Sequence, residues 1–172
     1  MKRGNLTILV ADDSYEDRLL LRRAFTKYVK PGVSLQMTSS GNEAVAYLCG
    51  IEPFKDRSRN PYPTFLLTDL KMPYGDGFSI LEHLKSTPQS TVIPTVVLSS
   101  SSDSDDIKRA YSLGASAYLV KPTDVMALTK MIQALMAFWL YCEVPEVDQE
   151  GVQLRTKNTG KLGERFDYKP KH

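Results

Sequence analysis

Apolar residues fall along this chain in two alternating rhythms. Short unbroken runs, Thr7-Ile8-Leu9-Val10-Ala11, Thr64-Phe65-Leu66-Leu67-Thr68, Thr95-Val96-Val97-Leu98 and Ala117-Tyr118-Leu119-Val120, have strand length and no polar alternation, as expected of strands covered on both faces. Val33 to Met37 reads as a further strand. Between them the spacing turns helical. Leu20, Leu21, Ala24, Phe25 and Tyr28 predict a helix over Ser14 to Val29, with Ser14 as N-cap and Lys30-Pro31-Gly32 as its stop. Helices are likewise predicted over Gly41 to Cys49, Phe78 to Ser86, Asp103 to Leu113 (closed by Gly114) and about Asp124 to Tyr141. Residues 50–63, with three prolines and mixed charge, read as an exposed loop that delays the third strand.

Five strand-helix alternations predict an α/β fold, a parallel sheet with helices on both faces, because each crossover is right-handed and returns to the same edge. The carboxyl ends of the strands then share one edge, where open α/β folds place ligands. Asp12 and Asp13 close the first strand, Asp69 closes the third, and Lys121 follows the fifth. Acids after strands often cap the next helix. Capping explains one acid per strand end, not a pair, a third acid and a lysine. Clustered carboxylates repel, so the array needs shifted proton affinities or a bound cation. Oxygen ligands alone suit magnesium better than zinc. Magnesium beside a carboxylate and a lysine suits phosphate chemistry, in which an exposed Asp can itself be the nucleophile.

Length changes this picture little: 172 residues suffice for one domain, 1–142, and an extension, 143–172. A net charge of +2 does not argue for nucleic acid or membrane binding by the whole chain, but its distribution is uneven. Residues 143–150 carry four acids and no base, and residues 151–172 carry six Lys or Arg against two acids. This charge-segregated extension is expected to be solvated and partly ordered, and too poorly patterned for a DNA-binding domain. Cys49 and Cys142 read as reduced thiols. The apolar run after Met1-Lys2-Arg3 is too short for a signal sequence, and no run reaches transmembrane length, so a cytoplasmic protein is expected.

On these residues the chain resembles the receiver domains of two-component response regulators over roughly residues 5–142. The matching features are Asp12-Asp13, Asp69 within Leu-Leu-Thr-Asp-Leu-Lys-Met-Pro-Tyr-Gly-Asp-Gly, Ser99 after a Pro-led strand, and Lys121-Pro122. It is similar in particular to the small single-domain regulators of bacterial phytochrome-type histidine kinases. The Pro-rich insert, Ile-Pro-Thr-Val-Val-Leu-Ser-Ser-Ser, Ala-Tyr-Leu-Val-Lys-Pro and Phe138-Trp139-Leu140 carry that likeness.

The resemblance implies a flavodoxin-like sheet of order 2-1-3-4-5 and a phosphoacceptor, Asp69, served by a histidine kinase. It implies Mg2+ held by Asp13 and Asp69, the backbone carbonyl of Lys71 and, mostly through water, Asp12. Lys121 and Ser99 would each meet a phosphoryl oxygen, and Tyr118 would be the switch aromatic. By pattern alone Tyr118 is equally a half-exposed strand residue. The family further implies a cis Lys121–Pro122 bond, and a role for Lys71 and Ser101 in phosphate lifetime. Ser99 replaces the commoner threonine, keeping the hydroxyl.

In the last helix Leu128, Ile132, Leu135 and Trp139 form one stripe, which Met131, Met136 and Phe138 widen beyond what a sheet face needs. A homodimer through Phe138 and Trp139 is the expectation. His83 reads as a surface residue and His172 as a disordered terminus. Two other functions fit the array: an interaction module independent of phosphorylation, and a magnesium-dependent phosphatase working through an aspartyl phosphate. The phosphatase would want a second acid two residues after Asp69, where Lys71 stands.

Overall fold

A computed structural model describes residues 6–26, 33–87, 93–139, 141, 142 and 151. Its elements alternate: β1 (Leu6–Ala11), α1 (Tyr15–Thr26), β2 (Val33–Thr38), α2 (Gly41–Cys49), β3 (Phe65–Thr68), α3 (Gly77–Ser86), β4 (Thr95–Ser99), α4 (Ser104–Ser112), β5 (Ala117–Val120) and α5 (Val125–Trp139). All strand pairs are parallel and the order is β2-β1-β3-β4-β5, as expected. Chain reversal at Lys30-Pro31-Gly32, the extension apart from Gly151, and His172 lie outside the described residues.

Strand alternation divides the core into two layers. Ile8, Val10, Phe65, Leu67, Val96 and Leu98 pack against Leu21, Ala24 and Phe25 of α1 and Leu128, Ile132 and Met136 of α5. Leu9, Ala11 and Leu66 turn the other way, onto Ala44, Tyr47 and Leu48 of α2 and Ile80 of α3. Val97 continues that layer with Leu70, Phe78, Leu81 and Ala110. Complete burial of a Leu, Ile or Phe stabilises by roughly 1.5–3 kcal/mol, so the continuous apolar runs of β1, β3 and β4 are what centre them in the sheet. The run in β5 does not carry the same meaning. β5 is an edge strand with a neighbour on one side only, and Val120 remains 42% exposed.

The helices start where the caps stand. Ser14 Oγ accepts from Asp17 N (3.1 Å), Ser40 caps α2, Asp76 caps α3 and Asp103 caps α4. Gly50, at φ +65°, closes α2. The 50–63 insert is less exposed than its composition suggests. Tyr62 is buried, Phe54 lies 5.1 Å from the Tyr47 ring, and Tyr47 OH donates to Pro61 O (2.8 Å). Arg57 ties the insert down, donating to the carbonyls of Tyr47 and Leu48 (both 2.8 Å) at the end of α2 while standing 5.5 Å over the Tyr62 ring. Removing it takes the guanidinium from both carbonyls and leaves Tyr47 O with the Gly50 amide (3.2 Å). Arg57→Ala is expected to destabilise by about 1–2 kcal/mol, read as a lower urea midpoint at unchanged slope.

In α5, Met136 is core rather than an addition to a surface stripe. Phe138 is 62% exposed, whereas the half-buried ring of Trp139 turns inward to 5.0 Å from Phe65. The pair expected at an interface is therefore split between surface and core. Gly151, at φ +81°, lies against the Tyr62 ring so closely that a Cβ would enter it, which brings this point of the extension to the insert.

Candidate functional site

The parallel register brings the first, third and fifth strand ends together. Asp12 N donates to Thr38 O (3.1 Å), Asp69 N to Ala11 O (2.8 Å) and Lys121 N to Ser99 O (2.8 Å), so each residue continues its strand by one rung. Asp12 and Asp69 are 1% and 8% exposed, and Asp13 points to solvent. Ligand oxygens of Asp12, Asp13 and Asp69 lie within 4.8 Å of one another. Lys121 Nζ reaches Asp12 Oδ2 (2.7 Å), Asp69 Oδ2 (2.8 Å) and Asp17 Oδ2 (2.9 Å). The other oxygens of the two buried acids are held by backbone. Asp12 Oδ1 accepts from Ser14 N (3.0 Å), and Asp69 Oδ1 from Leu70 N (2.6 Å) and Lys71 N (3.3 Å).

Electrostatically the array is unbalanced. Three carboxylates hold one ammonium and a fourth, Asp13, clusters with two of them, while Arg18 spends a guanidinium N–H on the Asp12 carbonyl (2.5 Å). Burial pushes the Asp12 carboxyl above its ordinary range despite the hydrogen bond from Lys121. Burial works the other way on Lys121, but hydrogen bonds to Asp12, Asp69 and Asp17 outweigh it and hold the amine above its ordinary range. An all-oxygen donor set with excess negative charge fits a hard divalent cation.

The loop after β4 forms the second half of the site. Ser99 is fully buried, and its Oγ accepts from Ser101 N (3.4 Å). Tyr118 is half-buried against the α3–α4 side of the core, its hydroxyl donating to Ser101 O (3.0 Å) and standing beside Ser99. Burial raises the phenol's proton affinity, so it stays neutral and a donor. Ser101 Oγ donates to Asp106 Oδ2 (2.6 Å), and the same oxygen lies 3.8 Å from Lys71 Nζ. A chain of contacts thus joins the loop after Asp69 to α4 and to Tyr118.

The model for the response regulator receiver domain matches residues 8–133. The chain belongs to the response-regulator receiver family. Among curated proteins this receiver is 32% identical over 133 residues to the response regulator Rcp1 of Synechocystis, covering 77% of the chain and 88% of Rcp1. Among solved structures it is similar to RPA3017, a response regulator in red light signaling of R. palustris (33% identity, TM-score 0.75, 83% and 99% covered). It is similar also to the phosphorylated cyanobacterial phytochrome response regulator RcpA (29% identity, TM-score 0.76, 83% and 100% covered). The flavodoxin-like receiver fold is common to all of them.

In the receiver, Asp12, Asp13, Asp69 and Lys121 converge as their sequence positions require. Ser99 and Tyr118 lie together one loop away, bonded to Ser101 rather than to Asp69. Lys71 meets Asp69 through its amide. One expectation is corrected: Lys121–Pro122 is trans, and the cis bond among the described residues is Glu52–Pro53. The trans linkage already delivers the ammonium to three carboxylates, so aiming the lysine requires no cis turn. His83, expected at the surface, is half-buried with Nε2 3.6 Å from Cys49 Sγ. Asp17 and Asp106 were not among the sequence candidates. Asp17 stands on the first turn of α1 and meets Lys121 only because α1 docks that side against the sheet edge, which the sequence pattern alone does not encode.

Proposed function

We propose that the chain accepts a phosphoryl group on Asp69 from a histidine kinase and thereby switches partner binding. Receivers as a family pair with histidine kinases; the likeness to RPA3017 and RcpA favours one of phytochrome type. The observation that carries the reading is the asymmetric hold on Asp69: one oxygen pinned by two amides, the other facing the Lys121 ammonium beside two further acids. The carboxylate needs no base. Its oxygen bonds to phosphorus as the bond to the donor's nitrogen or oxygen breaks, and the electron pair leaves with the donor. Positioning and charge neutralisation are the main demands of such a transfer.

Asp12, Asp13, Asp69 and the Lys71 carbonyl would hold Mg2+. The Mn2+-bound structure of Rcp1, to which the chain is similar (30% identity, TM-score 0.73, 82% and 99% covered), supports a divalent ion at such a site. A bound ion there supplies positive charge to the transferring oxygens. Lys121 balances a further oxygen, Ser99 offers its hydroxyl, and Tyr118 reads the change at Ser99 and Ser101. The test is incorporation of phosphoryl mass from acetyl phosphate. It is expected to require magnesium and to vanish in Asp69→Asn; magnesium-independent labelling, or labelling that survives the substitution, overturns the reading.

We read the chain as an acceptor that loses its phosphoryl group by its own hydrolysis, not as a phosphatase for external substrates. The residue two after Asp69 is Lys71, whose amine faces Asp106 rather than supplying a second acid. Cytoplasmic residence and the lack of nucleic-acid binding are parts of the same reading. Among the described residues no helix is long and apolar enough to cross a membrane.

A homodimer through the end of α5 completes the proposal, motivated by exposed Phe138 edge-on to Trp139 at 5.4 Å, with Tyr141 exposed beyond it. Trp139 also serves the core, so Phe138→Lys is the cleaner probe. It is expected to give a monomer in sedimentation equilibrium at concentrations where the wild type is dimeric. A dimer unchanged by this substitution places the contact elsewhere.

A further inference from the structure

Lys121 has three N–H donors and three carboxylate acceptors, and only one of those carboxylates is outside the proposed phosphoryl chemistry. Asp12 and Asp69 belong to the acid cluster that suits a divalent ion, and Asp69 is also the reacting group. Asp17 is neither. It stands on the first turn of α1, with its amide fixed by Ser14 Oγ at 3.1 Å and its Oδ2 2.9 Å from Lys121 Nζ. Its side chain is 34% exposed, against 2% for Asp12 and 10% for Asp69, so it forms the outer wall of the lysine's cage.

We infer that Asp17 is a positioning residue for phosphoryl transfer, anchoring the Lys121 ammonium from the more exposed side of its cage. The inference rests on the reading of Asp69 as phosphoacceptor. Two physical effects oppose each other at this position. As an added anion, Asp17 disfavours the arrival of a negatively charged donor. As an anchor, it restrains a lysine whose long, flexible stem would otherwise leave the amine free among rotamers.

The anchor wins because of what happens to the other two contacts. A carboxylate that shares its charge with a divalent ion attracts an ammonium less strongly, and an Asp69 oxygen that becomes an ester oxygen gives up most of its charge. Asp12 and Asp69 therefore weaken their hold as the reaction proceeds, and Asp17 does not. Its cost as an anion is reduced by the ammonium it shares with Asp69 and by solvent at its exposed edge.

The test is a double-mutant cycle on the rate of Asp69 phosphorylation by acetyl phosphate with magnesium. Asp17→Asn is expected to slow the reaction about tenfold, the scale on which supporting partners of a reactive group act. The same change made in Lys121→Met is expected to slow it no further, because an effect exerted through the lysine disappears with the lysine. A wild-type rate for Asp17→Asn overturns the inference. So does an equal loss in both backgrounds, which would mark a structural or direct electrostatic role. If Lys121→Met fails to fold, Asp17→Glu decides: recovery of most of the lost rate supports an anchoring carboxylate, and a rate equal to that of the Asn variant overturns it. Absence of any label on wild-type Asp69 would sink the underlying reading instead, so the two failures are distinct.

Discussion

Lys121→Met is expected to slow phosphoryl transfer to Asp69 by about 10²–10³-fold, the range seen when one preorganised charge-stabilising donor is removed from a reacting site. Methionine keeps the length and apolar character of the lysine stem, so the change isolates the ammonium. In the wild type that ammonium meets three carboxylates within 2.9 Å and is mostly shielded from solvent. Rates of label incorporation from acetyl phosphate measure the effect, and a loss of less than about threefold would remove Lys121 from the chemistry.

The same variant has a signature in stability. Without the lysine, Asp12 remains almost wholly buried and loses the hydrogen bond that partly offsets burial, so its proton affinity rises further. A carboxyl whose folded pKa lies above its unfolded value binds protons more tightly when folded. Stability therefore increases as pH falls through the folded value, and declines as pH rises through the window between the two. For Lys121 in the wild type the sign is complementary. An amine held above its ordinary value contributes fully below about pH 10.4 and loses that contribution as pH rises through the folded value. Urea titrations at pH 5 and pH 7 should show Lys121→Met closer to wild type at the lower pH.

Gly77→Ala carries the second large effect. A Cβ at Gly77 would lie 2.1 Å from Asp69 O and 3.0 Å from the Asp69 carbonyl carbon and Leu70 Cα, all of them backbone. Gly77 N also donates to Leu70 O (3.0 Å), which holds α3 against the loop that carries the acceptor. Helix propensity alone favours Ala over Gly by roughly 1 kcal/mol, but an overlap with backbone that cannot rotate away costs more. A net loss of about 2–4 kcal/mol is expected, with slower phosphorylation because the carbonyl of Asp69 itself must move. Gly114→Ala is the control. Nothing lies within 4 Å of its Cβ, so its φ of +98° alone sets a cost of about 1 kcal/mol and phosphorylation is unaffected.

What the sequence disclosed depended on whether a residue's surroundings follow from its own strand. Asp12, Asp69 and Lys121 each occupy the rung just past a strand, so parallel order alone brings them together. The runs in β1, β3 and β4 announced their burial because helices cover both their faces. β5 has a similar run, but its edge position depends on the whole sheet, and no local pattern encodes that. Asp17 and Asp106 act through the docking of α1 and α4 on the sheet, which rotates one side of each helix toward the site. Arg57 looked like one charge among several in a Pro-rich loop. Its role as a cap for α2 appears only when the insert folds back over Tyr62.

The central claim is that Asp69 becomes an aspartyl phosphate. Borohydride reduces an acyl phosphate to an alcohol and so converts such an aspartate into homoserine, leaving a permanent mark at the acceptor. After incubation with acetyl phosphate and magnesium, reduction and peptide mass mapping should find homoserine at position 69 alone. Homoserine at position 12, 13 or 17, or a phosphoryl group stable to acid on Ser99, would contradict the account.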